Sequence, residues 1–138
     1  MTSPPTPGFG QGDASFQAAG GIEGITALVE RFYAWMDALP QAREIRRMHP
    51  EDLTTSKDKL ARFLCGWLGG PKRYQEVYGP IRIPAVHARF GIGHAQRDAW
   101  LECMRRAIDE QPYAEAFKVY LLEQLAVPAE RVRQACQG

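Results

Sequence analysis

His87 stands in the segment P-A-V-H-A-R-F, residues 84–90, with Ala85, Val86 and Ala88 beside it. These neighbours are small and uncharged, so the imidazole can stand against something large and flat without a competing charge. Neutral imidazole is a good metal ligand, and this setting suits one that holds a haem iron. A histidine taken alone is more often a surface or satisfied core residue, so the assignment depends on its company. His94 is the competitor, but Gly91 and Gly93 interrupt any single helical face that would join the two. The third histidine, His49, precedes Pro50, which pushes it out of helical geometry and onto the corner of a turn.

Two further side chains carry donors at apolar positions. Tyr33 lies on the inward face of a helix, and a buried phenol needs a partner, ordinarily a core carbonyl. Trp100 shares a helical stripe with Met104, Ala107 and Ile108, where the ordinary role is to fill the core. Its indole offers one donor and no acceptor, which suits a bound oxygen atom or anion.

The elements that must position these residues are helical. Ile22, Ile25, Val29, Phe32, Tyr33 and Met36 recur at spacings of three and four, and the helix ends near Pro40. After the turn at residues 46–53 the period returns over 54–68 through Ser56, Leu60, Phe63, Leu64 and Trp67, a face able to lie flat on a cofactor. Gly69 and Gly70 stop that helix and Pro71 prevents its continuation. Residues 74–93 are the least regular: Ile81 and Ile83 allow a short strand, but an extended loop feeding a helical turn at His87 fits better, since no partner strand is signalled. A helix resumes at Gln96 through Trp100, Leu101, Met104, Ala107 and Ile108. A last one starts near Pro112 and runs through Phe117, Leu121, Leu122 and Leu125, with Pro128 kinking or restarting it. The expected fold class is all-α.

The bulk properties narrow the function classes. A chain of 138 residues fits one domain with room for one buried cofactor. Seventeen basic residues against sixteen acidic ones, with the arginines scattered, give no call for nucleic acid or an acidic membrane. No apolar run approaches the roughly 20 residues needed to span a bilayer. Cys65, Cys103 and Cys136 are three in number and far apart, which argues against a disulfide scaffold or zinc site and for a reducing cytoplasm. The amino terminus lacks a secretory signal pattern. Residues 1–13 are rich in Pro, Gly, Ser and Thr and read as flexible. The division expected is a flexible extension with a short pre-helix segment over 1–19 and one domain over 20–138.

Seven short motifs occur in order: G-G-I-E-G-I at 20–25, R-F-Y at 31–33, R-R-M-H-P-E-D at 46–52, R-F-L at 62–64, G-G-P at 69–71, V-H-A-R-F at 86–90 and R-D-A-W at 97–100. Together they make the chain resemble the truncated haemoglobins, specifically group II. The resemblance implies a two-over-two helical sandwich around haem b, with His87 as the proximal iron ligand. Tyr33, His49 and Trp100 match the family's distal positions; the family often has tyrosine where this chain has His49. Ser56 matches the place where other globins put a distal histidine, which implies a five-coordinate iron at rest. Leu60, Phe63, Leu64, Trp67, Phe90, Met104 and Phe117 would wall the haem with Arg89 beside them. Lys57, Lys72, Arg82 and Arg89 are the cations available to its propionates.

The function implied is binding of dioxygen or another diatomic molecule by a monomer or homodimer. The alternative is a haem-dependent redox enzyme, peroxidase-like or converting nitric oxide, that needs a separate reductase. A cofactor-free helical interaction module is the third possibility.

Overall fold

The computed structural model describes residues 9–79 and 92–137, the side chains only as far as residue 134. Seven α-helices and one 3-10 turn lie in the described residues, with no strand. The short strand considered for Ile81 and Ile83 falls outside them.

Helix α1, Ala14–Ala18, turns into α2, Gly21–Ala38, through Gly20 at φ 87°. Ile25, Leu28, Val29, Phe32, Tyr33 and Met36 form the buried stripe of α2, as the spacing requires. Ile22, expected on the same stripe, is 40% exposed, because the first turn of α2 extends past the core. Gly24 permits a close crossing: a β-carbon there would lie 2.1 Å from the Ala19 carbonyl oxygen. Leu39 is extended, as a residue before proline tends to be, and ends α2.

Pro40–Ala42 is the 3-10 turn and leads into α3, Arg43–Arg47, a helix too short to show a period in sequence. Helix α4, Thr54–Trp67, starts where the Asp52 carboxylate accepts the Thr54 amide at 3.0 Å and its hydroxyl at 2.7 Å. It ends where the Gly70 amide donates to the Cys65 carbonyl at 2.8 Å, closing the last turn past Gly69. Helix α5, Arg73–Tyr78, occupies part of the segment read as irregular. It fits between Pro71 and Gly79, and Tyr78 ties it back to α4 by donating to Asp58 at 2.6 Å.

Helix α6, His94–Asp109, begins two residues earlier than expected because the Gln96 side chain accepts the Gly93 amide at 2.8 Å. Helix α7, Glu115–Gln137, starts after Pro112 rather than at it and runs unbroken through Pro128. Beyond that proline, Arg97 on α6 pairs with Glu130 at 2.8 Å, Glu130 pairs with Arg133, and Val132 is buried.

Helix α2 packs on both α4 and α6, and α6 packs on α7, which gives two helix pairs laid one over the other. The core at their crossing includes Phe32, Met36, Leu64, Met104, Ile108 and Leu121, all nearly inaccessible. Trp35 lies between the guanidinium groups of Arg31 and Arg106 and donates its indole N–H to Glu110, which also accepts from Arg31 at 2.7 Å. That cluster fastens α2 to the end of α6.

Residues 9–19 lie against this core. Phe9 meets the rings of Phe117 and Tyr120 at 5.1 and 5.0 Å, the Phe16 amide donates to the Leu68 carbonyl, and Ser15 and Ala19 are buried. Tyr113 donates to the Ala19 carbonyl at 3.1 Å from the turn between α6 and α7. No helix among the described residues is long and apolar enough to cross a membrane.

Candidate functional site

The buried stripe of α2 carries Phe32 and Tyr33 to the same end of the crossing. The Phe32 ring is flanked edge-on by Tyr33 at 4.9 Å and by Trp100 of α6 at 5.1 Å. The Tyr33 ring in turn meets that of His49 edge-on at 5.6 Å. The packing of α2 on α6, and of the α3 corner beside α2, thus gathers side chains as far apart in the chain as Phe32 and Trp100 into one aromatic row.

Tyr33 is 5% exposed, and its burial pushes the phenol well above its ordinary pKa, so it keeps its proton. Its hydroxyl donates to the Ser56 carbonyl on α4 at 3.5 Å, the outer limit of a hydrogen bond. The core-carbonyl partner expected for a buried tyrosine is present, but such a long contact contributes little. A better acceptor nearby would take the proton at small cost. Ser56 itself is half-buried in the first turn of α4.

His49 is half-buried at its corner, with Nδ1 2.8 Å from the Ile45 carbonyl. A carbonyl can only accept, so Nδ1 carries hydrogen, and the neutral ring then presents Nε2 as an acceptor. The fixed ring orientation comes from α3, whose last carbonyls point toward the turn. Trp100 is half-buried, and its indole N–H has no hydrogen-bond partner among the described residues. No buried side-chain polar atom among the described residues lacks a partner, so the unpaired indole N–H is accessible rather than sealed in the core. A long phenol contact and an unused indole donor beside one ring are therefore the uncommitted polar capacity of this region.

Leu60, Phe63 and Trp67 on α4 lie against the core yet are only half-buried, with Phe63 and Trp67 stacked at 6.1 Å. Leu64 and Met104 are completely buried behind such faces. Phe117 is also buried, among Phe9, Tyr113 and Tyr120, where the amino-terminal segment docks. Lys57 pairs with Glu30 at 2.9 Å, so one cation considered for a propionate already holds a carboxylate; Lys72 is exposed. His87, Arg82, Arg89 and Phe90 lie outside the described residues, as do the turn and loop expected around them. His94 is exposed at the first position of α6. No trio of His, Cys, Asp and Glu able to hold a metal ion occurs among the described residues.

The sequence also matches the model of the bacterial-like globins over residues 14–133. It is 32% identical over 120 residues to the group 2 truncated hemoglobin YjbI of Bacillus subtilis (strain 168), covering 87% of this chain and 88% of that one. The chain belongs to the bacterial-like globins, as a group II truncated haemoglobin. Among solved structures, this globin is similar to the group II 2-on-2 hemoglobin of Agrobacterium tumefaciens, with a TM-score of 0.82, 34% identity and coverage of 96% of this chain and 98% of that one. It is similar also to the truncated oxygen-avid haemoglobin of Bacillus subtilis, with a TM-score of 0.78, 32% identity and coverage of 86% and 98%.

Globin membership implies haem binding, and the residues present suit it. Leu60, Phe63 and Trp67 on α4 and Trp100 on α6 are half-buried apolar side chains that a flat ring could cover. The structure reveals one feature that the sequence reading did not supply, the Ile45 carbonyl that fixes the His49 tautomer. The signal was the i, i+4 spacing of the two residues, hidden because α3 itself was not foreseen.

Proposed function

We propose that this globin binds haem b through His87 and retains dioxygen or another diatomic ligand with donors from Tyr33 and Trp100. The observation that carries the reading is the indole N–H of Trp100, which no described residue accepts, beside a phenol held only at 3.5 Å. Bound haem would supply an iron with one open position for a diatomic molecule.

Each residue then has a separate task. His87 would hold the iron through a neutral ring nitrogen, its other N–H being fixed by an acceptor that tunes the metal. Tyr33, kept protonated by burial, would swing its O–H from the weak Ser56 contact toward the ligand. Trp100 would donate without giving up an existing bond. His49, with Nδ1 committed to Ile45, would hold the Tyr33 ring in place through their edge-on contact at 5.6 Å. Ser56 is too short to reach a bound iron as a histidine would, so it would leave room for the diatomic ligand. Leu60, Phe63, Leu64, Trp67, Phe90, Met104 and Phe117 would exclude water around the ring, with Arg89 at its rim.

A hydrogen bond to a charged group contributes about 1.5–3 kcal/mol, and about 1.4 kcal/mol is tenfold in an equilibrium constant. Two such donors retain a ligand on the order of 100-fold longer or more. That favours holding over rapid delivery, and it agrees with the oxygen-avid character of the Bacillus subtilis relative. The free, buried Cys65 and Cys103 suit the reducing cytoplasm proposed for it.

The test is an absorption spectrum of the chain purified from cells supplied with a haem precursor. A Soret band is expected in the parent and in His94→Ala. His87→Gly should lose stable haem or require added imidazole. An unchanged spectrum in His87→Gly overturns the ligand assignment. Steady-state turnover of peroxide or nitric oxide above that of free haem would move the reading to a redox enzyme served by a reductase.

A further inference from the structure

A concavity of about 410 Å3 lies at the α3 corner. Met36, Leu39 and Pro40 give it an apolar floor, and α3 gives it a basic wall. Arg43, Arg46 and Arg47 stand at i, i+3 and i+4 and so share one face of that helix. Their commitments differ. Arg46 is used up: it pairs with Asp37 at 2.5 Å and donates to the carbonyls of Pro50 and Glu51 at 3.0 and 2.9 Å. Arg43 and Arg47 have no ion pair or hydrogen bond with any described residue.

Like charges at i, i+4 repel, so the Arg43–Arg47 arrangement weakens a helix that is already only five residues long. Packing gives no reason for it, because both side chains are exposed and the inward face of α3 is met by Ile45. A planar guanidinium is the side chain that recognises carboxylates in two-point contact, and two of them face an apolar-floored hollow.

We propose that this hollow binds a small organic monoanion, a carboxylate carrying a short apolar chain. The charge balance selects the class. With Asp37 matched by Arg46, the remaining wall charges are Arg43 and Arg47 against Glu51, a balance of one positive charge that suits a monoanion and disfavours a phosphate dianion. The volume falls in the range of small-molecule sites, about 300–1,000 Å3. The carboxylate lies against the two guanidinium groups and the chain lies on Met36 and Leu39. His49 also borders the hollow, so an occupant touches the ring that packs on Tyr33. The site stands on the end of α2, the 3-10 turn, α3 and the corner at His49 and Glu51, and does not depend on the haem assignment.

The experiment titrates hexanoate into the full chain by calorimetry and by backbone amide shifts, with hexan-1-ol and inorganic phosphate as parallel probes. Hexanoate is expected to bind saturably, with shifts centred on residues 36–51, and at least tenfold more tightly than either other probe. Arg43→Gln and Arg47→Gln should each weaken hexanoate about tenfold, with thermal unfolding equal to the parent's or slightly higher, since both side chains are exposed and their mutual repulsion is relieved. Arg43→Lys, which keeps the charge but not the fork, should fall between. Hexan-1-ol or phosphate binding as tightly as hexanoate, shifts centred elsewhere, no saturable binding, or parent affinity in the Arg43→Gln, Arg47→Gln double variant would each overturn the proposal.

Discussion

Replacing Trp100 by phenylalanine separates packing from hydrogen bonding at the proposed ligand pocket. The indole meets the Phe32 ring edge-on at 5.1 Å, and a phenyl ring keeps that contact, which is worth about 0.5–1.5 kcal/mol beyond area burial. What disappears is the outer part of a half-buried side chain and the N–H. The volume costs about 1 kcal/mol, and the donor costs nothing in the folded protein, since no described residue accepts from it. For a chain of this size that predicts a melting temperature lower by about 3–5 °C. In the ligand-bound protein the same N–H is worth about 1.5–3 kcal/mol, so dioxygen should leave about 10–150-fold faster. Oxidation in air should also quicken. Trp100→Leu removes the aromatic pair as well and should lose about another 1 kcal/mol with the same kinetic effect. Thermal melts, stopped-flow dioxygen release and the rate of spectral change in air measure the three quantities. Both variants melting lower while keeping the parent's release and oxidation rates would make Trp100 a core residue and refute the reasoning.

Tyr33→Phe should leave stability within about 0.5 kcal/mol, because the lost contact is 3.5 Å long, yet change dioxygen release several-fold or more; equal kinetics would mean that the hydroxyl stays on Ser56. Gly24→Ala places a β-carbon 2.1 Å from the Ala19 carbonyl oxygen and should cost about 1–3 kcal/mol in urea unfolding, whereas Gly12→Ala, with open space around it, should cost only the strain of a side chain at φ 53°. Glu102 accepts from Arg105 and Arg106, and these bonds hold its carboxyl down at about 2. A depressed folded value means stabilisation that is present above the unfolded value near 4.5 and lost as pH falls toward 2. Glu102→Gln should therefore melt below the parent at pH 7 and converge with it by about pH 2; a constant gap across that range would assign the effect to packing.

The three long stripes on α2, α4 and α6 were legible because each repeats over several turns, so periodicity outweighs any single residue. Helices α3 and α5 were not. With five and six residues they complete too little of a face to show a period, and they are held by contacts such as Tyr78 on Asp58 and Ile45 in the core. Phe9 was hidden for a different reason. One aromatic among prolines and glycines reads as loop until Phe117 and Tyr120, more than a hundred positions later, are known to be beside it. The family was legible through the order of short motifs and not through any residue's own character. Tyr33, Ser56 and Trp100 come from three helices, and only their packing brings a phenol near a carbonyl and an indole near Phe32.

Pro128 gives α7 an unequal inner architecture. A proline has no amide hydrogen, so the Gln124 carbonyl loses its partner one turn back, and the hydrogen-bond ladder of the helix is interrupted there. Upstream, Phe117, Leu121 and Leu125 are sealed in the core; downstream, the helix is secured by Val132 and by the Arg97, Glu130 and Arg133 ion group. Amide protons on the two sides therefore exchange with solvent by different openings. Those before Pro128 are released only when the whole fold opens, while those after it are released by fraying that added salt accelerates, since screening weakens the charges that hold them.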